Sequence, residues 1–217
     1  MGEWATTTYG RGEGATFEVF EEVHFLHSLG LLYATITSYL GFRVNEGEYK
    51  VMGLAPYGEP RYVDQVRELV QAGPGGKYTL TMAYFDFVSG RRMFSSLLCD
   101  RFGAPPREPG SEIKPFHCDV AKSLQLILEE MLLEKVRYLA GEVDSGNLCM
   151  AGGVALNGVA NGRIVREGPF ERLFVQPAAG GGWQSGRGGA GSRPPDGLPP
   201  QRRTAGTRQP GAALHGG

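Results

Sequence analysis

The sequence of 217 residues predicts an α/β fold, and three observations lead to that prediction. Residues 119–140 carry apolar side chains at helical spacing, which indicates a long buried helix ended by a glycine. A short apolar strand at 147–151 then passes through a Gly-Gly pair into a second helix at 154–166. Another strand follows at 172–176. Alternating helices and strands of this kind are typical of α/β domains.

The first forty residues predict a hairpin followed by a helix. Residues 4–9 and 15–23 are rich in Thr, Val, Phe and Tyr, and they flank a glycine-rich loop at 10–14. That pattern indicates a β-hairpin. Residues 25–40 are mostly apolar or small, with Ser28 as a candidate N-cap, and they predict a buried helix.

Three further segments precede the long helix. Residues 60–72 place valine and leucine at helical spacing, so we expect a helix closed by a glycine. Apolar and polar side chains alternate along residues 77–88 closely enough to predict one or two strands. Residues 97–113 contain several prolines and glycines, which indicates a loop.

The segment 45–58 combines a lysine, two acidic residues and a Gly-Leu-Ala-Pro-Tyr-Gly run, a combination that no core requires. Gly53 and Gly58 tolerate positive φ, and Pro56 fixes φ near −65°, so the run predicts a rigid turn. A rigid turn beside Lys50 would hold its ammonium group where an anion or a carbonyl oxygen binds. Lys50 is therefore the candidate catalytic residue.

A second segment predicts a nucleotide site. After the strand at 147–151, Gly152, Gly153 and Val154 bring backbone N–H groups to a helix N-terminus, where phosphates and nucleotides bind. Asn157 and Asn161 lie four residues apart on one helix face, where their amides would reach a ribose or a base. Tight packing at the glycines and plain surface polarity at the asparagines are the alternatives.

Composition excludes several classes of protein. A net charge of −1 and a hydrophobic content of 41% indicate a globular domain without a nucleic-acid or membrane surface. No apolar run approaches the roughly 18 residues of a spanning helix, and the N-terminus does not resemble a signal peptide. Cys99, Cys118 and Cys149 are odd in number and widely spaced, which predicts free thiols in the cytoplasm. We expect no metal role for the His24–His27 pair.

The character of the sequence changes after Gly180. Residues 181–217 are dominated by Gly, Pro, Arg, Ala and Gln, and carry five arginines against one aspartate. Such a segment buries too little apolar surface to offset its ordering entropy, so we expect a disordered tail. A basic nucleic-acid-binding tail is the alternative, although no aromatic interleaving supports it.

Residues 45–58 and 150–164 closely resemble two signatures of the O-carbamoyltransferases of the NodU/CmcH type, which modify antibiotics and nodulation factors. Residues 2–8, 27–33 and 169–180 resemble other segments of the same family. The resemblance covers residues 1–180 and implies a partial actin-like ATPase domain with a ribonuclease H-like core. Carbamoyltransferases share this branch of the fold with the tRNA threonylcarbamoyladenosine synthases.

The resemblance also implies a reaction. The family moves a carbamoyl group from carbamoyl-adenylate, made from ATP and carbamoyl phosphate, to a hydroxyl of a small molecule such as an antibiotic, a sugar or a nodulation factor. A divalent metal of the iron type would polarise the carbamoyl oxygen. Lys50 would steady negative charge, and Gly152, Gly153 and Asn157 would bind the nucleotide portion.

The sequence departs from the family pattern at the metal site. The family carries an H-x-x-x-H pair and an Asp upstream of the hairpin, and an Asp where this chain has Gly181. We also expect this chain to lack the YrdC-like C-terminal domain that makes carbamoyl-adenylate in the family. We therefore expect no metal ligand in this chain and no turnover by the chain alone.

The tail suggests how this departure arose. The overlapping codons of Gly181 to Gly186 can spell Ala-Gly-Gly-Ser-Leu-Gly, which is close to the family's continuation. We hypothesise that the residues from 181 onward are a frameshift product and that Met1 is an internal start. The coding DNA would contradict this if its neighbouring frame gave a different string.

Two other functions stay open. In the first, the chain is a non-catalytic remnant that folds poorly or only binds a nucleotide. In the second, it is a relative of the tRNA threonylcarbamoyladenosine synthases. The Lys-Val-Met-Gly-Leu-Ala-Pro-Tyr-Gly run favours the antibiotic-type branch over the latter. Residues 1–180 contain 17 Lys and Arg against 22 Asp and Glu, so no basic surface for tRNA is indicated. The acceptor and the oligomeric state are not indicated by the sequence.

Overall fold

The computed structural model describes residues 4–88 and 92–176. Within these ranges the strands are β1 (Ala5–Glu13), β2 (Thr16–His24), β3 (Val70–Ala72), β4 (Tyr78–Leu80), β5 (Asn147–Met150) and β6 (Arg172–Val175). The α-helices are α1 (Leu29–Tyr39), α2 (Glu48–Leu54), α3 (Val63–Arg67), α4 (Ser96–Phe102), α5 (Pro115–Glu142) and α6 (Gly158–Glu167). Short 3-10 helices lie at Ala55–Tyr57, Met82–Tyr84 and Gly153–Leu156. The predicted mixture of helices and strands is confirmed, whereas the actin-like ATPase fold stays a prediction.

The N-terminal hairpin is confirmed, but its loop is shorter than expected. β1 and β2 pair antiparallel almost to their tips, with Gly10 opposite Val19 and Gly12 opposite Phe17. Only Gly14 of the predicted glycine-rich loop has positive φ, at 60°. A Cβ on Gly10 would lie 2.5 Å from the Glu18 carbonyl oxygen and 2.7 Å from the Phe17 ring. Glycine is needed there because the Glu18 carbonyl oxygen, a backbone atom, leaves no room for a Cβ.

Helix α1 confirms the predicted buried helix and its cap. The Ser28 hydroxyl accepts a hydrogen bond from the Leu31 N–H at 3.2 Å, which satisfies one of the free donors at the helix start. Leu32, Ile36 and Tyr39 have no exposed surface. The helix begins four residues later than the apolar run because residues 25–28 belong to the connection from β2.

The predicted helix at 60–72 is wrong in its second half. α3 covers only its centre, and the buried Val70 belongs to β3, which pairs antiparallel with β4. Gly75 and Gly76, at φ 66° and 69°, close the turn between the two strands. Strand pairing across this turn outcompetes the helical spacing of valine and leucine. The predicted alternation at 77–88 yields β4 and one isolated bridge, between Phe85 and Phe94.

The predicted loop at 97–113 is also only partly right. Helix α4 occupies its beginning, with Leu98 and Phe102 buried, and it ends at Gly103 in the left-handed region, φ 68°. Proline and glycine are concentrated after this point, so the loop begins there. The apolar residues before Gly103 form a short helix that packs into the core.

Helix α5 confirms the predicted long helix and organises the core. It begins four residues earlier than expected, with Pro115 at its first position, where the missing N–H costs nothing. Helices α2, α3 and α6 pack against it. The predicted apolar stripe is buried along most of its length, at Val120, Leu124, Ile127, Leu128, Met131, Leu132 and Val136.

Strands β5 and β6 are parallel and are joined through α6, which is a β-α-β unit as predicted. The helix expected at 154–166 is split, however. A 3-10 turn, Gly153–Leu156, comes first, and α6 starts at Gly158 with Asn157 as its N-cap. Within the described ranges, no helix is both long and apolar enough to cross a membrane. The predicted tail at 181–217 lies outside the described residues.

Candidate functional site

Lys50 lies in helix α2, and the rigid turn expected beside it is the end of that helix followed by the 3-10 turn Ala55–Tyr57. Gly53 is helical and Gly58 has φ −111°, so neither glycine uses positive φ. The Lys50 side chain is exposed, and its Nζ lies 5.8 Å from the centre of the Phe42 ring. Within residues 4–88 and 92–176 no carboxylate forms an ion pair with Lys50. Its ammonium group is therefore available to a ligand.

The segment after Lys50 is fixed on the first turn of α5. A Cβ on Gly58 would overlap the Cys118 carbonyl oxygen and lie 2.6 Å from the Asp119 nitrogen. The Glu59 N–H donates to Asp119 Oδ1 at 2.8 Å. The glycine at 58 thus serves close backbone packing, and this packing holds α2 and Lys50 in place.

The Gly-Gly pair lies where β5 ends, at the start of the 3-10 turn. Gly152 has φ 98°, which an L side chain rarely adopts, so a glycine is required there. Among residues 4–88 and 92–176 nothing lies within 4 Å of a Cβ built on Gly152 or Gly153, so the described part of the chain leaves both backbones open. Val154 differs, because its side chain lies 3.7 Å from where a Cβ on Gly30 of α1 would be. A ligand can approach the glycines closely, while Val154 anchors the turn on α1.

Asn157 is buried and bonded within the protein, with only 9% of its surface exposed. Its Oδ1 accepts from the Ala160 N–H at 2.9 Å and from Gln125 Nε2 at 3.0 Å. Its Nδ2 donates to Gln125 Oε1 at 2.9 Å. The expectation that Asn157 and Asn161 share an open helix face is wrong, since Asn157 precedes the helix and caps it.

Asn161 has an unused acceptor. Its Nδ2 donates to the Ala155 carbonyl at 2.7 Å, which fixes the orientation of the amide. Among residues 4–88 and 92–176 its Oδ1 is enclosed, with almost no exposed surface, and has no hydrogen-bond partner. A buried acceptor without a donor costs stability.

Sequence reasoning missed the polar side chains that surround Asn157. Gln125 bonds to Asn157, to Glu129 and to Tyr33, and Arg163 pairs with Glu129. A signal for Gln125 was present. It lies four residues after Ala121 and three before Leu128, so it belongs to the buried side of the long amphipathic helix.

The described residues do not fit a metal ion. Within residues 4–88 and 92–176, no three His, Cys, Asp or Glu side chains come together as a ligand set. His27 Nδ1 accepts the Leu80 N–H at 3.0 Å, and His24 Nε2 lies 3.1 Å from Glu22 Oε2. Gly181, which stands where the resemblance places a metal-binding Asp, lies outside the described residues. The three cysteines are free thiols.

Comparison with known proteins agrees with the sequence resemblance. A protein of Synechocystis sp. described as uncharacterized is 49% identical over 181 residues, which are 83% of this chain and 29% of that protein. The nodulation protein NolNO of Sinorhizobium fredii is 34% identical over 179 residues, 82% of this chain and 25% of NolNO. The nodulation protein NolO of Bradyrhizobium diazoefficiens is 36% identical over 154 residues, 70% of this chain and 26% of NolO.

The chain therefore spans between a quarter and three tenths of the length of these relatives. A family model described as the carbamoyltransferase N-terminus matches residues 1–190. That match includes Lys50, the Gly-Gly turn and Asn161. The family resemblance is confirmed, and the chain belongs to the carbamoyltransferase family, of which it carries the N-terminal region.

Proposed function

We propose that this chain is the nucleotide-binding part of an ATP-dependent O-carbamoyltransferase. In this proposal the whole enzyme transfers a carbamoyl group from carbamoyl-adenylate to a hydroxyl of a small molecule. An antibiotic, a sugar or a nodulation factor is the proposed acceptor class, and the names of two relatives support the last of these. The observation that carries the proposal is the family match over residues 1–190.

The nucleotide portion is proposed to bind at the β5–α6 junction. Gly152 and Gly153 offer backbone that a phosphate can approach, because among residues 4–88 and 92–176 nothing lies within 4 Å of where their Cβ atoms would be. Asn161 is proposed to bind a ribose hydroxyl or the adenine amine, which requires its side chain to move, because its Oδ1 is enclosed. Asn157 contributes indirectly, because its amide is occupied by Gln125 and the helix start.

The proposed reaction is an acyl transfer from a mixed anhydride. A bond forms between the acceptor oxygen and the carbamoyl carbon, the bond from that carbon to the phosphate oxygen breaks, and AMP leaves. The hydroxyl proton is released. The exposed ammonium of Lys50 is proposed to steady the negative charge that develops in this step. A divalent metal is implied for the family, but the described residues hold no fitting ligand set, so no step is assigned to it.

Carbamoyl-adenylate would have to be made elsewhere in the longer protein, in the proposed YrdC-like domain. For this reason we expect that the chain alone does not turn over.

A chimera tests the proposal. Residues 4–176 would replace the matching stretch of the Synechocystis relative, and mass spectrometry would follow carbamoylation of a panel of hydroxyl acceptors with ATP and carbamoyl phosphate. We expect product from the chimera and none from this chain alone. An inactive, folded chimera beside an active parent would overturn the proposal. Product from this chain alone would contradict the expectation that the chain needs further domains for turnover.

A further inference from the structure

Gln125 lies at the centre of a buried polar cluster that joins three helices. We define the Gln125 cluster as Tyr33 of α1, Gln125 and Glu129 of α5, Asn157 at the start of α6, and Arg163 within α6. Gln125 is only 3% exposed, and the buried positions around it in α5 are mostly apolar, with Glu129 one turn further on as the charged exception. A polar side chain at such a position costs stability unless every polar atom is bonded.

The amides of Gln125 and Asn157 bond to each other in both directions. Gln125 Nε2 donates to Asn157 Oδ1 at 3.0 Å, and Asn157 Nδ2 donates to Gln125 Oε1 at 2.9 Å. Neither amide can exchange the positions of its oxygen and its nitrogen without losing a hydrogen bond. Asn157 Oδ1 also accepts the Ala160 N–H, and Gln125 Nε2 also donates to Glu129 Oε1 at 2.9 Å. The partners therefore fix one orientation for the pair.

The other members of the cluster hold Gln125 itself. The Tyr33 hydroxyl donates to Gln125 Oε1 at 3.2 Å. Burial raises the pKa of Tyr33, and the nearby charges of Glu48 and Glu129 add to that rise, so the hydroxyl stays a donor. Arg163 Nη1 lies 3.3 Å from Glu129 Oε2, so the largely buried Glu129 carboxylate has a cation beside it.

The position of Asn157 decides what the cluster controls. Asn157 directly follows the 3-10 turn that begins at Gly153, and its backbone N–H donates to the Val154 carbonyl at 3.1 Å. Four residues later, Asn161 returns to the same turn by bonding the Ala155 carbonyl. Fixing Asn157 therefore fixes both the glycine backbone and the unpartnered Oδ1 of Asn161.

We propose that Gln125 is a positioning residue for the nucleotide site, acting through Asn157 on the segment 152–161. This inference rests on the proposed nucleotide binding by that segment. In this inference Gln125 does not contact the nucleotide. It positions the groups of the segment 152–161 that do, and Tyr33 and Glu129 hold the Gln125 amide in its orientation.

The test compares two buried positions of the same helix. Gln125→Leu keeps the approximate volume and removes every hydrogen bond of the amide. Ser123→Ala is the matched control, because the buried Ser123 hydroxyl accepts the Tyr62 N–H at 3.0 Å on another side of α5. Two readouts are taken on the full chain: amide hydrogen exchange across 152–161, and the Kd for ATP by calorimetry.

We expect Gln125→Leu to speed exchange in 152–161 about 10-fold or more and to weaken ATP binding about 10-fold, since about 1.4 kcal/mol corresponds to a factor of ten. Ser123→Ala should change neither. Equal behaviour of the two variants would overturn the positioning role. If the wild-type chain binds no ATP while Gln125→Leu still speeds local exchange, the positioning role holds and the proposed nucleotide site fails.

A second variant covers the case in which Gln125→Leu does not fold. In Gln125→Glu an ionised carboxylate would place oxygens against Asn157 Oδ1 and Glu129 Oε1, whereas the protonated carboxyl can donate to one of them. The other titratable groups facing it are Tyr33, Arg163 and, beyond Tyr33, Glu48. We expect exchange in 152–161, corrected for its intrinsic rate, to be slower at acid than at neutral pH in this variant alone. The same pH profile in the wild type would overturn the proposal.

Discussion

The backbone of Gly58 lies directly against the carbonyl of Cys118, so closely that a Cβ on Gly58 would overlap that oxygen. Cys118 belongs to the first turn of α5, and Gly58 ends the 3-10 turn that follows the Lys50 helix. Backbone atoms cannot rotate away as a side chain does. The glycine is thus a packing requirement that fixes α2 on the longest helix.

Gly58→Ala should lower the free energy of unfolding by about 3 kcal/mol, the upper part of the usual range for overpacking. Gly53→Ala is the matched control five residues earlier. A Cβ on Gly53 meets nothing within 4 Å and its backbone is helical, so alanine should raise stability by about 0.5–1 kcal/mol. Urea unfolding of both variants measures the difference. Equal effects at the two glycines would contradict the described packing.

Asn157 should be sensitive both to loss of its amide and to its replacement by an acid. Asn157→Ala removes the cap of α6 and both bonds to Gln125, so we expect a loss of about 3 kcal/mol. Asn157→Asp keeps an oxygen for the Ala160 N–H and for Gln125 Nε2, but at neutral pH its second carboxylate oxygen faces Gln125 Oε1, so we expect a loss of similar size. Chemical denaturation gives both values. A wild-type stability for Asn157→Asp at neutral pH would contradict the described bond from Asn157 Nδ2 to Gln125.

Lys135 is buried to 4% exposure, with its Nζ 4.3 Å from the centre of the Tyr78 ring. Burial lowers its pKa to about 8, and the charge of Glu134 partly opposes that shift. Between about pH 8 and its ordinary pKa near 10.4, the unfolded chain binds a proton that the folded chain does not, so stability rises with pH. The full rise is about 3 kcal/mol at most.

Lys135→Met should therefore raise stability at pH 7 and flatten the profile between pH 8 and about pH 10. Above that range the buried tyrosines, whose pKa is raised by burial, reverse the trend in every variant. Lys122→Met, at a half-buried position of the same helix, is the control and should keep the wild-type slope. If the stability of Lys135→Met changed with pH in parallel with that of the wild type, a lowered pKa of the buried Lys135 would be contradicted.

Lys50→Ala should leave stability within about 0.5 kcal/mol, because the side chain is exposed and no described carboxylate pairs with it. In the chimera proposed above, it should lower carbamoyl transfer about 10-fold or more, as expected for removal of a charge that stabilises the transition state. Arg137→Ala, another exposed cation, should leave the rate unchanged. Initial rates at saturating ATP decide the matter. An unchanged rate for Lys50→Ala would remove it from the site.

Elements with a strong local signal could be predicted from the sequence. Three features depend on residues close together in the chain. They are the apolar stripe of α5, the Ser28 cap of α1, and the order of strand, Gly-Gly pair, helix and strand at 147–176. Strand β3 and its pairing with the expected strand β4 were missed because strand pairing across Gly75 and Gly76 overrode a helical spacing. Helix α4 was missed because prolines further on dominated the interpretation of the whole segment.

The nucleotide site stays a prediction, and the structure adds contacts that the sequence did not indicate. The Gly-Gly pair predicted backbone that a ligand can approach, and among residues 4–88 and 92–176 nothing lies within 4 Å of a Cβ built there. The hydrogen bonds between Gln125 and Asn157 join residues that are 32 apart in the chain, and no local sequence pattern predicts such a contact. Gly58 was expected to serve a turn, whereas its neighbour across the contact, Cys118, lies on a distant helix.

The most direct test of the central claim is calorimetric titration of the full chain with ATP, for the wild type, Gly153→Ala and Gly141→Ala. A methyl at 153 would enter the open space proposed for the nucleotide, whereas the equally open position 141 lies at the end of α5. The account predicts saturable binding with a Kd of about 1 mM or tighter, weakened about 10-fold by Gly153→Ala and unchanged by Gly141→Ala. A folded wild-type chain that gives no binding heat, or equal affinities in all three proteins, would contradict it.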